Sequence, residues 1–109
     1  MRKVSEKSIR AFLNGKNGKF GGVSKYNGMQ NTTVKDGKFY LFDNCIAKFE
    51  DGDLYVRIHT NSNTTRERLN TLSWLGGYDL SVTQRNWDAY INGKKVEDYM
   101  AWHKVSKKV

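Results

Sequence analysis

Cys45, set against His59 or His103, is the one thiol and base combination the chain contains. Nucleophilic catalysis needs such a thiol ionised beside a base or cation in a cleft. Cys45 instead opens a strand-like run with Ile46 and Ala47, the position of a small core residue. The two histidines are far apart in sequence and have no carboxylates beside them in ligand spacing, so they do not compose a metal site. Asp36, Asp43, Asp51 and Asp53 all fall in predicted turns, where their side chains bond the local backbone. The expectation is a protein that is not an enzyme and carries neither metal nor cofactor.

Binding chemistry is better supplied. The glycine-rich stretch from Gly15 to Gly28 carries Lys16, Lys19 and Lys25, and backbone amides in such turns form anion-binding concavities. It lacks the spacing and the hydroxyl residue of a P-loop and follows a helix rather than a strand, so lysine contacts with a polyanion are its better use. In Leu54 to His59, Leu54, Val56 and Ile58 alternate with Tyr55, Arg57 and His59, giving one aliphatic face and one with an aromatic and two potential cations. Tyr40 and Lys48 belong to neighbouring runs. Sheets that bind single strands combine aromatics for stacking with cations for phosphate. If a helix covers that face, Tyr55 is ordinary core. In that case only the loop and the terminal Lys104, Lys107 and Lys108 remain as basic surface.

The elements that must position these groups can be read in outline. Ser5 can cap a short helix, with Val4 and Ile9 as its hydrophobic staple, Ile9, Phe12 and Leu13 on one face and Asn14-Gly15 as its stop. Gln30 to Val34, Lys38 to Phe42, Cys45 to Phe49 and Leu54 to His59, separated by Asp36-Gly37, Asp43-Asn44 and Asp51-Gly52, predict an antiparallel meander. Thr64-Thr65-Arg66-Glu67 has capping-box spacing and predicts a helix from Thr64 to Leu75, stopped by Gly76-Gly77. Tyr78 to Thr83 and Trp87 to Ile91 predict a second hairpin, with a tight Asn92-Gly93 turn into Lys94 to Val96. Glu97 to Val105 has acids first and Lys104 last, as a helix dipole prefers. The period-two pattern of Trp87, Ala89 and Ile91 predicts a buried Trp87. The fold class expected is α+β: an antiparallel meander plus a second β hairpin, packed with two or three short helices in a single domain over residues 1–109.

The chain has 109 residues, one cysteine and a formal charge of +8. One cysteine excludes an internal disulfide and a Cys-rich zinc site, and no run suits a signal peptide or membrane span, so a cytoplasmic setting is expected. The charge draws the protein toward nucleic acid, anionic lipid or an acidic protein surface, or is merely a solvated coat.

The run Asn63-Thr64-Thr65-Arg66-Glu67-Arg68-Leu69-Asn70, then Gly76-Gly77 and Trp87-Asp88-Ala89-Tyr90-Ile91-Asn92-Gly93-Lys94, resembles small proteins encoded by bacteriophages and prophages. The N-terminal helix leading into Leu13-Asn14-Gly15-Lys16 is similar to theirs as well. The resemblance implies a setting in the bacterial host cytoplasm and supplies no catalytic residues. It implies an accessory protein that binds a host protein or ribonucleoprotein complex, or RNA or DNA directly, and inhibits bacterial CRISPR-type defence. The alternative is a stand-alone nucleic-acid-binding module in phage replication or transcription.

Overall fold

The computed structural model describes residues 3–21 and 31–108. Lys25 and the start of the first predicted meander strand, Gln30, lie outside the described residues. Helix α1 spans Lys3–Leu13. Ile9 and Phe12 are buried. The helix ends as predicted, with Gly15 at φ 70° and the Lys16 and Gly15 amides donating to the Ala11 and Phe12 carbonyls, a paired bond pattern that needs a left-handed residue. Ser5 does not cap it. The helix starts earlier, and Ser5 lies buried within it, donating its hydroxyl hydrogen to the Glu67 carboxylate.

Among the described residues nine strands follow one another: β1 Gly18–Phe20, β2 Thr32–Lys35, β3 Lys38–Leu41, β4 Asn44–Glu50, β5 Asp53–Val56, β6 Val82–Arg85, β7 Asp88–Ile91, β8 Lys94–Lys95 and β9 His103–Val105. They make two sheets, ordered β1-β2-β3-β4-β5-β9 and β6-β7-β8, and every pairing is antiparallel. Five hairpins turn on two residues, each at positive φ: Asp36/Gly37, Phe42/Asp43, Asp51/Gly52, Asn86/Trp87 and Asn92/Gly93. Paired positive φ defines the tight turn whose twist matches that of the strands, and Asn-Gly or Asp-Gly suits it best. Two of the five place an aromatic there instead.

The inner face of the large sheet carries Val34, Phe39, Ala47, Leu54 and Val56, all buried. Phe12 of α1 packs edge-on to Phe39 at 5.8 Å and stacks on Phe49 at 4.8 Å. A register shift between Phe39 and Tyr40, opposite Ala47 and Cys45, turns both Ile46 and Ala47 inward, as an inserted residue does.

Helix α2 spans Asn63–Gly76. Its cap is Ser62, whose Oγ accepts from the Thr65 amide at 3.1 Å, not the predicted Thr64 and Glu67 box. Glu67 has a tertiary commitment that outbids the local one: it accepts from Ser5 and, at 2.9 Å, from Arg68, which is 1% exposed. Ser62→Ala is therefore expected to lower stability by about 1 kcal/mol, and Thr64→Ala by far less; chemical denaturation of the two variants checks the order. Leu69 and Leu72 are buried, and Gly77 at φ 68° ends the helix. The Asn70 amide bonds both the N–H and the carbonyl of Val82, 2.8 Å each, tying α2 to the edge of β6.

Two further expectations fail. The segment after Glu97 is not a helix: Asp98 turns the chain by accepting from the Met100 amide at 2.9 Å. His103–Val105 then pairs with β5. The open edge of β5 needs partners for its backbone groups, and this outweighs the favourable dipole pattern. Trp87 is 86% exposed, because the strand starts at Asp88 and Trp87 is a turn residue at φ 69°. A left-handed conformation costs a side-chain-bearing residue about 1 kcal/mol or more, so Trp87→Gly is expected to raise stability by about 1 kcal/mol. An unchanged or lower melting temperature would contradict this.

Candidate nucleic-acid interface

Side chains alternate across a strand, so the residues between the buried ones face away from the helices. On the large sheet neither helix packs on that outer face among the described residues. Register places Lys35 opposite Lys38, Lys38 opposite Lys48, Lys48 opposite Tyr55 and Tyr55 opposite Lys104. These five residues form one unbroken row over β2, β3, β4, β5 and β9. With strands about 4.8 Å apart, the row is about 19 Å long. The adjoining row runs from Lys19 through Thr33 and Tyr40 to Cys45. It continues to Arg57, whose Nε donates to the Cys45 carbonyl at 2.7 Å.

Trp102 joins the two rows. The Arg57 guanidinium lies 4.3 Å and the Lys48 ammonium 4.5 Å from its ring centre, and Lys48 is also 5.8 Å from the Tyr55 ring. Two carboxylates border the face: Glu50 pairs with Lys48 at 2.9 Å and Asp53 with Lys104 at 3.5 Å. Cations outnumber them, and three lysines stand directly side by side.

The predicted site residues separate accordingly. Tyr40, Lys48, Tyr55, Arg57, Lys104 and Lys19 share the outer face. Lys16 is exposed in the turn after α1. His59 leaves the group: β5 ends at Val56, and His59 at φ 58° turns away, its amide donating to the Tyr99 carbonyl at 2.8 Å. Lys107 and Lys108 are exposed but tied down elsewhere, Lys107 bridging to Tyr78 and the Lys108 amide donating to Gly77. Lys35, Lys38 and Trp102 were not foreseen. Lys-Asp-Gly-Lys around a two-residue turn is the signal for the first two, since such a turn sets its flanking lysines opposite each other. Period-two alternation of Trp102 and Lys104 with His103 and Val105 is the signal for the third.

Burial raises the Cys45 thiol above its ordinary value of 9.0, against the opposing pull of Arg57, Lys38 and Lys48. Desolvation raises the Tyr78 phenol above 10.0. The folded chain thus holds both protons more tightly than the unfolded chain, and stability from these groups falls as pH rises past 9 and 10. A melting temperature that declines from pH 8 to 11, with a shallower decline in Tyr78→Phe, is expected; equal slopes would count against it.

These features define a small α+β protein with a cation-rich and aromatic sheet face. The chain belongs to the Kyanoviridae Gp96 protein family, whose model matches residues 1–106, and is a phage protein. No curated protein and no solved structure matches it. Among the described residues no helix is long and apolar enough to cross a membrane.

Proposed function

We propose that this phage protein is a non-enzymatic accessory protein that holds a single-stranded nucleic acid, free or within a host nucleoprotein, across the outer face of its large sheet. The observation that carries the reading is the cross-strand juxtaposition of Lys35, Lys38 and Lys48. Like charges directly opposite one another destabilise a sheet, and a row of phosphates is the ligand that converts this repulsion into attraction. Tyr40, Tyr55 and Trp102 beside them offer rings for bases, which a duplex keeps stacked inside.

Titrating labelled single strands and duplexes of equal length across a salt series tests this. Expected are tighter binding of the single strand and a log-log salt slope near −0.7 for each phosphate held. No binding at low salt ends the proposal, and equal binding of duplex and single strand reduces the face to a charged coat. A second reading, attachment to a CRISPR-type defence complex through a protein surface, is favoured by Trp74 and Trp87, which are 71% and 86% exposed. Co-purification with a defined effector complex that survives nuclease and requires Trp87 would support it.

A further inference from the structure

A cavity of ligand size lies on the three-stranded sheet, not on the six-stranded one that bears the lysine row. Alternation puts Thr83, Arg85, Asp88, Tyr90 and Lys95 on the face turned away from the buried Val82 and Ala89. Register sets Thr83 opposite Tyr90, Tyr90 opposite Lys95 and Arg85 opposite Asp88. Opposite charges facing each other across two strands attract, yet Asp88 gives its carboxylate to Lys95, at 3.6 Å. Arg85 is thereby left with no counter-charge among the described residues, and the Thr83 and Tyr90 hydroxyls have no hydrogen-bond partner there either. All three residues line one open cavity of about 380 Å³, which Gly93 of the β7–β8 turn also borders. Small-molecule sites start at roughly 300 Å³, so the space suits a molecule and exceeds what a bare ion fills.

We infer that Thr83, Arg85 and Tyr90 form a binding site for a nucleoside 5′-monophosphate. A guanidinium fork and two hydroxyls are a set of donors, which suits an anion with several acceptor oxygens. A carboxylate or a phosphodiester has two free oxygens, whereas a phosphate monoester has three, one for each donor group. The phosphate alone leaves most of the cavity empty. The half-buried Tyr90 ring in its wall is a surface on which the base stacks. The nucleotide comes either free in solution or as the 5′-terminal residue of a strand, and its phosphate and base are the same in both. None of these residues belongs to the lysine row, so the site stands whether or not that row holds a strand.

Calorimetric titration of the full chain with deoxyadenosine 5′-monophosphate, deoxyadenosine and inorganic phosphate tests the site. The monophosphate is expected to bind at least about tenfold tighter than either fragment, since it links the two contacts. Arg85→Gln should weaken it at least about tenfold. Thr83→Val, which keeps the branched shape a strand prefers, should weaken it about threefold. Both side chains are exposed, so the melting temperatures of the variants should stay near that of the wild type. A monophosphate that binds no tighter than inorganic phosphate overturns the site, and so does an Arg85→Gln variant that binds it unchanged. The source is assigned by competition with 5′-phosphorylated and unphosphorylated oligo(dA), in protein whose Lys35, Lys38 and Lys48 are replaced by glutamine. Displacement by the phosphorylated strand alone identifies a strand terminus, and displacement by neither identifies the free nucleotide. Equal displacement by both strands overturns the site, because no monoester is then being read.

Discussion

Replacing Lys35, Lys38 and Lys48 together by glutamine is expected to weaken single-strand binding at least tenfold while the melting temperature holds or rises. The two effects are linked. These lysines face one another across three strands, and cross-strand like-charge pairs each cost a sheet roughly 0.2 to 1 kcal/mol. Removing the charges relieves the repulsion, which offsets the loss of the Lys48 ion pair with Glu50 and of its contacts with the Trp102 and Tyr55 rings, so the unliganded protein should not suffer. The salt slope should flatten by about 0.7 for each phosphate no longer held, so by about 2 if all three lysines hold phosphates. A triple variant that binds as tightly, with the wild-type slope, would move the interface off this face.

The largest effect on folding is expected at Glu67. Its carboxylate receives the Ser5 hydroxyl and, at 2.9 Å, the Arg68 guanidinium, and the Arg68 side chain is 2% exposed. Glu67→Ala leaves a buried cation without its counter-charge, which typically costs about 3 to 5 kcal/mol. In a domain of this size that corresponds to a fall in melting temperature on the order of 15 °C. Arg68→Met fills the same space without charge and should be close to neutral. Arg68→Met combined with Glu67→Ala should therefore recover most of the loss. A double variant as unstable as Glu67→Ala alone would show that the carboxylate acts through packing or helix geometry, not through Arg68.

Glu67 also marks where local sequence stops predicting structure. Thr64 and Glu67 have the spacing of a reciprocal cap, and that spacing is satisfied by chance. Ser5, distant in sequence, claims the carboxylate, and no local pattern reveals a tertiary partner. The meander was legible because Asp36-Gly37 and Asp51-Gly52 are turn pairs with a steric reason, and the Asn92-Gly93 turn was legible likewise. Asn86-Trp87 was not, since period two ran through Trp87, Ala89 and Ile91 and favoured a longer strand. Of the site, Tyr55 and Arg57 could be read from alternation, which misplaced His59, and Tyr40 and Lys48 only from their place in neighbouring runs. Trp102 could not, because the charges around it suit a helix as well as a strand. Only the unfilled edge of β5 decides between them.

That same edge sets an order of assembly. Strands β2 to β5 close on one another through two-residue turns and can pair as soon as they are made. Leu54 and Val56, however, wait for Val105 and His103, with α2 and the small sheet between them in the chain. At roughly 5 to 20 residues per second of synthesis, this leaves the edge of β5 unpaired for some seconds on the ribosome. During that interval Tyr55 lacks its neighbour Lys104, and Arg57 lacks the indole of Trp102. The nascent chain is then a partial sheet with an aggregation-prone margin, and the binding face is completed only by the last strand to arrive.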